Sequence, residues 1–289
     1  MSRRKKLHAG LIWLFSMLFV VVLIVAAGFW AVNLFKPPPV KPILACTAPL
    51  QDNQYSLAPD QAQNAALIAA IGIRRGLPPR AVTIALAVAM QESKLRNINY
   101  GDLDSLGLFQ QRPSQEWGTA EQIMDPNYST NAFYDVLLTV PGYQQMTITA
   151  AGQAVQRSAF PEAYGQHESM ARAFASALTG NSSAALSCTL DSPQAPGDPT
   201  AVAKKVQAAF ATATAKPQAS TVRVSATGVA GWSYAQWAVA NASTLGITQV
   251  SFAGHSWQRN NNDGSSNKGW QPLESASGQE VVIALQPKG

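Results

Sequence analysis

The strongest hydrophobic pattern in the chain is a single apolar run near its amino terminus. Residues 11–32 are almost wholly apolar, and a helix of about 22 residues covers roughly 30 Å of hydrocarbon. A second rhythm begins at Leu57. Ala65, Leu67, Ile68, Ile71 and Ile73 recur at helical spacing behind Asp60, an N-cap candidate. Gly76-Leu77-Pro78-Pro79 breaks that helix, and residues 80–95 predict another. Val82, Ile84, Leu86, Val88 and Met90 leave it apolar on nearly every side, the mark of a central buried helix. Its polar residues come only at the end, Gln91-Glu92-Ser93-Lys94. Residues 96–118 are rich in Asn, Asp, Gly, Ser and Gln and read as irregular. Shorter helices are predicted near 119–124, 127–139, 147–156 and 161–179. No stretch within 46–190 alternates at period two, so this part is predicted to be mainly α.

The pattern changes twice more. Pro37-Pro38-Pro39-Val40-Lys41-Pro42 reads as a stiff spacer. Pro193, Pro196, Pro199 and Pro217 mark residues 191–220 as a Pro/Ala-rich linker, in which Asp198-Pro199 is placed to open a short helix carrying Val202, Val206 and Phe210. Strands are predicted at 221–226, 248–252 and 280–285, an amphipathic helix at 233–245 ended by Gly246, and a polar loop at 260–268. The predicted fold class is α+β: an N-terminal transmembrane helix (1–36), a spacer (37–56), a mainly α domain (57–190), the linker and a small α+β module (221–289).

Charge decides how the amino terminus is read. The 289-residue chain carries a net charge of +5, which invites a nucleic-acid partner. Its distribution excludes one. Arg3, Arg4, Lys5, Lys6 and Lys36 flank the apolar run, and beyond them the chain holds as many acids as bases, so there is no basic stripe to bind phosphates. The cluster before the run keeps the N-terminus cytoplasmic and sends the bulk of the chain outside, with Trp13 and Trp30 at the two interfaces. A single-pass signal anchor is the leading reading, and a cleaved signal peptide the alternative. Ile43-Leu44-Ala45-Cys46 is too far from the apolar run for a lipidation site. Cys46 and Cys188, the two cysteines, read as a disulfide in an oxidising exterior; two free thiols are the alternative.

The candidate chemistry lies at 90–111. Glu92 emerges at the C-terminal end of the buried helix, and a polar turn follows with Asp102 and Asp104. The negative helix end and partial burial both disfavour an anion there, so Glu92 should hold its proton longer than a surface glutamate. A neutral carboxylic acid is what protonation of a glycosidic oxygen requires. A solvated glutamate at a frayed helix end is the ordinary alternative.

Glu92-Ser93 together with Gly107-Leu108-Phe109-Gln110 resembles the soluble lytic transglycosylase family of the lysozyme-like superfamily, over about residues 57–180. The resemblance implies a lysozyme-like domain with Glu92 as general acid and then base. It also implies that Ser93 supports the local geometry, and that Gln110 and the turn at Gly107, with Asp104 and Ser105, contact the sugar. Phe109 stands where that family carries Met. The family's third motif, roughly Ala-Tyr-Asn, has its nearest match in Ala154-Val155-Gln156-Arg157-Ser158, with Gln156 in the amide position. The implied reaction cuts the β-1,4 bond between N-acetylmuramic acid and N-acetylglucosamine in peptidoglycan.

One acid suffices for a lytic transglycosylase, because the 6-hydroxyl of muramic acid attacks its own anomeric carbon. A goose-type hydrolase needs a second carboxylate to position water. Asp102 reads as ordinary turn chemistry; Asp104 is open to either role. Transglycosylase therefore leads hydrolase, and a non-catalytic glycan-binding envelope protein is the competing class. Trp117, Tyr128, Tyr134, Tyr143 and Tyr164 are candidates to stack on sugar rings, with Trp117 and Tyr164 foremost. His167 reads as structural.

The C-terminal module, with Gly231-Trp232-Ser233-Tyr234-Ala235-Gln236-Trp237, Gly254-His255-Ser256-Trp257 and Gly269-Trp270-Gln271, weakly resembles the last part of a domain of actinobacterial wall hydrolases. That domain's zinc segment is missing: His255, with Asp263 and Glu274, does not make a three-ligand site. No metal and no cofactor is expected. The expected partners are peptidoglycan glycan strands and, through one helix, the membrane.

Overall fold

The computed structural model describes residues 2–34, 43–157 and 161–288, without the side chains of residues 2–12, 14, 31–34 and 161. The chain divides into two compact units, residues 1–41 and 42–289.

The first unit is one helix, α1 (Ser2–Leu34). Every described side chain from Phe15 to Trp30 is exposed. Among the described residues no helix is long and apolar enough to cross a membrane. The expected span of 11–32 includes Leu11, Ile12, Leu14, Ala31 and Val32, whose side chains lie outside the described residues, as does the Pro37–Pro39 spacer.

The second unit is α+β. In chain order it runs β1 (Ala45–Leu50), β2 (Asn53–Leu57), α2 (Pro59–Arg74), α3 (Pro79–Ser93), α4 (Ala120–Met124), α5 (Pro126–Thr139), α6 (Ile148–Gln156), α7 (Glu168–Leu178) and β3 (Ser187–Thr189). It continues α8 (Pro199–Ala209), β4 (Thr214–Gln218), β5 (Thr221–Ser225), α9 (Gly228–Ala240), α10 (Ala242–Leu245), β6 (Ile247–Phe252), β7 (His255–Gln258), β8 (Trp270–Pro272) and β9 (Glu280–Leu285).

Several expectations need correction. Residues 37–56, read as spacer, hold β1 and β2, which with β3 form an antiparallel sheet in the order β2-β1-β3. The short strands carry Pro49 and a turn at Gln51-Asp52, so no run of alternation is long enough to stand out. Cys46 lies directly opposite Cys188 across β1 and β3, and the two are joined by a disulfide. Closing a 142-residue separation stabilises the fold by up to about 5 kcal/mol in the chain-entropy account. Asp60 does not cap α2. Ala58 stands at the N-cap, the Gln61 side chain accepts from its N–H, and Asp60 pairs with Arg96 at 2.6 Å.

α3 is the central helix of the α-rich half. Residues Ala81 to Ala89 are all buried, and α2, α5, α6 and α7 pack around it. The half beyond it is built on a six-stranded antiparallel sheet in the order β4-β5-β9-β6-β7-β8. Inside the expected linker, Asp198 caps α8 through Thr200 and Ala201, and β4 joins the sheet edge. The expected amphipathic helix at 233–245 is instead α9, buried on every side from Gly231 to Ala240, followed by α10. The reason is its position. α9 packs on β6 and β9 with one side and on α2 and α7 with the other.

Gln236 of α9 ties the halves together. It is fully buried; its Oε1 accepts from the N–H of Ala185 and Leu186, and its Nε2 donates to the carbonyls of Ala177 and Ser182. Trp270 adds a bond from its indole N–H to the Leu186 carbonyl at 2.8 Å. Module and α-rich half thus share one polar seam.

Candidate active site

Glu92 is the penultimate residue of α3. The helix stops because Lys94 and Leu95 both take the left-handed conformation, at φ 54° and 55°. Its end is capped from α2: Gln61 donates to the Lys94 carbonyl at 2.8 Å and Asn64 to the Leu95 carbonyl at 2.7 Å. Those bonds hold the end of α3 rigid, and nothing in the sequence around Glu92 announces them.

The Glu92 side chain is half-buried. The Tyr164 hydroxyl donates to its Oε1 at 2.6 Å, and the Gln156 side chain also hydrogen-bonds the carboxyl. Burial pushes the Glu92 carboxyl above its ordinary pKa, and the bonds from Tyr164 and Gln156 oppose that rise. Desolvation outweighs them because a carboxylate taken from water loses more than two neutral donors restore.

Tyr164 was expected to stack on sugar. Its ring is instead fully buried, packed so closely on α6 that a Cβ at Gly152 would lie 2.9 Å from Tyr164 Cδ2. The residue faces the site with its hydroxyl only. Tyr134 is also fully buried, its hydroxyl donating to the Ile68 carbonyl, and Tyr143 is buried. Trp117 and Tyr128 are part-buried. The exposed aromatic of the turn is Tyr100, which periodicity had no means to single out.

Ser93 couples the helix end to the glycine turn. Its hydroxyl lies 2.8 Å from the Leu108 carbonyl and 3.1 Å from that of Ala89, and accepts from the Arg96 N–H. Gly107 takes φ +76°, and a Cβ there would come 2.7 Å from the Ile123 carbonyl oxygen, so only glycine fits. Phe109 turns inward and stacks on Phe133 at 4.6 Å, while its carbonyl accepts from Gln156 Nε2 at 2.6 Å. Gln156 thus bridges the turn and Glu92. Ser158, the last residue of the third motif, lies outside the described residues.

Asp104 is placed differently. Its Oδ1 accepts from Arg112 Nε at 2.7 Å and from the Ser114 hydroxyl at 2.9 Å, and its Oδ2 from the Ser114 N–H at 2.8 Å. The Arg112 bond, joined by those from Ser114, holds the carboxyl far below the usual range. Asp104 is a fixed anion clamping residues 104–114, and Arg112, its partner, went unnoticed in the sequence. Asp102 is exposed, and its carbonyl closes a turn onto the N–H of Ser105, which is buried. Gln110 Nε2 lies 3.3 Å from the carbonyls of both Tyr100 and Gly107. Among the described residues no hydrogen bond links Asp104, Gln110 or Trp117 to Glu92.

His167 meets Gln91 Oε1 through Nε2 at 3.0 Å, and burial lowers its pKa. In the other half, His255 Nδ1 meets the Ala253 carbonyl and Asp263 accepts from Ser265 and Ser266. Among the described residues no group of three His, Cys, Asp or Glu is placed to hold a metal ion.

No family model matches the chain, and no curated protein matches it.

Proposed function

We propose that the chain is a cell-envelope enzyme, anchored by its N-terminal apolar helix, that cuts peptidoglycan glycan strands as a lytic transglycosylase of lysozyme-like type. The observation that carries this reading is the pairing of Glu92. Burial raises the pKa of its carboxyl, which is held by a phenol and an amide rather than by a second carboxylate.

In this account Glu92 gives its proton to the glycosidic oxygen leaving the muramic acid C1. The positive charge growing on C1 is met by the carboxylate left behind, which Tyr164 and Gln156 steady. The 6-hydroxyl of the same muramic acid then bonds to C1, and its proton passes to Glu92, which restores the acid and leaves a 1,6-anhydro end. No water is consumed. The Asp104 carboxylate is held by Arg112 and Ser114, which argues against its orienting a water as the hydrolytic alternative requires.

The test is digestion of purified sacculi by the full-length chain in detergent, with the products read by mass spectrometry. Anhydro-muropeptides support the proposal, reducing ends would replace it with a hydrolase, and intact sacculi would replace it with a glycan-binding protein.

A further inference from the structure

A pocket of about 260 Å³ lies where α2 meets α8 and α9, and the glycine turn and Tyr164 take no part in lining it. Its walls come from both halves of the molecule: Gln63, Asn64 and Arg74 from α2, Lys205 from α8, and Trp237 with Asn241 from the end of α9. From the glycan reading above and this lining, we infer that the pocket is a second saccharide subsite, selective for one anionic amino sugar of the strand.

Three features carry the inference. First, the pocket sets the part-buried Leu67 of α2, beside a Trp237 buried against Phe210, within a rim of amides, the combination that receives the apolar face of a sugar ring and its polar edge. Second, the amides are already oriented. Gln63 donates to Thr244 Oγ1 at 2.9 Å, Asn64 to the Leu95 carbonyl at 2.7 Å and Asn241 to the Trp237 carbonyl at 2.9 Å. The side-chain carbonyl of each remains to accept from a hydroxyl or an acetamido N–H. Third, the charged side chains of the lining are Arg74 and Lys205, and no acid is among them. Arg74 is tethered by its bond to the Ala208 carbonyl at 2.8 Å, and Lys205 is exposed. Two cations beside acceptors suit a sugar that carries a carboxylate, as N-acetylmuramic acid does through its lactyl group, better than a neutral one.

Asn64 gives the pocket its place in the mechanism. The same side chain that lines it also caps the end of α3 at Leu95, three residues from Glu92. A strand seated there lies against the element that positions the acid, and α8 and α9 acquire a role beyond packing.

The experiment measures binding of the disaccharide N-acetylglucosaminyl-N-acetylmuramic acid to the full-length Glu92→Gln chain in detergent, by calorimetry. Neutral di-N-acetylchitobiose serves as the control, and each is repeated after adding Lys205→Glu. The expected result is two disaccharides per chain, one of them weakened about tenfold or more by Lys205→Glu, with chitobiose binding unchanged. Equal affinities and stoichiometry with and without Lys205→Glu overturn the subsite. So does an equal loss for chitobiose, which would show that the charge is not read. Sacculus digestion by the chain with Glu92 intact reports on the catalytic reading separately, so the two can fail independently.

Discussion

Tyr164 donates its phenolic hydrogen to Glu92 Oε1 at 2.6 Å from a ring with no exposed surface. The bond favours the carboxylate, while burial of the same carboxyl favours the acid, and burial prevails. In the proposed reaction the readiness of Glu92 to give up its proton is set by these two opposed effects, one of which the loss of a single oxygen atom removes.

Tyr164→Phe removes it. Cleavage requires the protonated acid, so activity falls as pH rises through the raised pKa of Glu92. Without the phenol the carboxylate is less favoured, and the alkaline limb of the pH–rate profile for sacculus digestion should move to higher pH, with a lower maximal rate. A limb that stays in place, or moves to lower pH, contradicts the assignment of Tyr164.

Stability should carry the same signature. A carboxyl whose folded pKa lies above its unfolded value stabilises the fold at low pH, and that contribution is lost as pH rises through the folded pKa. Glu92→Gln carries no such charge. Its melting temperature relative to the parent should therefore rise between acidic and alkaline buffer, read by differential scanning calorimetry; a constant difference would mean that Glu92 is not desolvated.

Asp104→Asn separates the two mechanisms. The substitution weakens the clamp on Arg112 and Ser114, and the turn should loosen with a modest loss of rate. The products should remain anhydro-muropeptides. Abolition of cleavage with the fold intact would instead make Asp104 the water-positioning base of a hydrolase.

Gln236→Leu tests the seam between the halves. It leaves two N–H groups and two carbonyls without the partner they have now, those of Leu186 and Ala177 in buried bonds, and each buried loss costs about 1–3 kcal/mol. Chemical denaturation should show a loss of several kcal/mol, or a transition that splits in two as the halves uncouple. An unchanged midpoint would show that the bonds are not made.

Much of the α-rich half was legible in the sequence because its helices are bounded by local signals: Pro78-Pro79 before α3, Thr119 and Asp125 as caps of α4 and α5, Thr147 before α6. Gly246 ends α10 with φ +63°, and Asp198-Pro199 opens α8, both where local chemistry placed them. What depends on distant residues was not legible. β1 becomes a central strand only by pairing with β3, nearly the whole α-rich half away in sequence, as well as with its neighbour β2. α9 reads as amphipathic only until the helices and the sheet are brought to its two sides. In the candidate site, Gln156 bonds both Glu92 and the turn that Gly107 opens, and Ser93 bonds the same turn at Leu108, so residues legible in the sequence do meet there. The Tyr164 ring is buried, and its hydroxyl, not its face, meets Glu92. The capping amides of Gln61 and Asn64 are set by tertiary contact alone.

The central claim is that position 92 supplies the proton. Purified sacculi should be digested in parallel by the full-length chain and by its Glu92→Gln variant, and anhydro-muropeptide release followed by mass spectrometry. The account predicts that the parent releases them and that the variant, folded as shown by its melting transition, is slower by about 10²–10⁴-fold. Equal release by the two chains would contradict it.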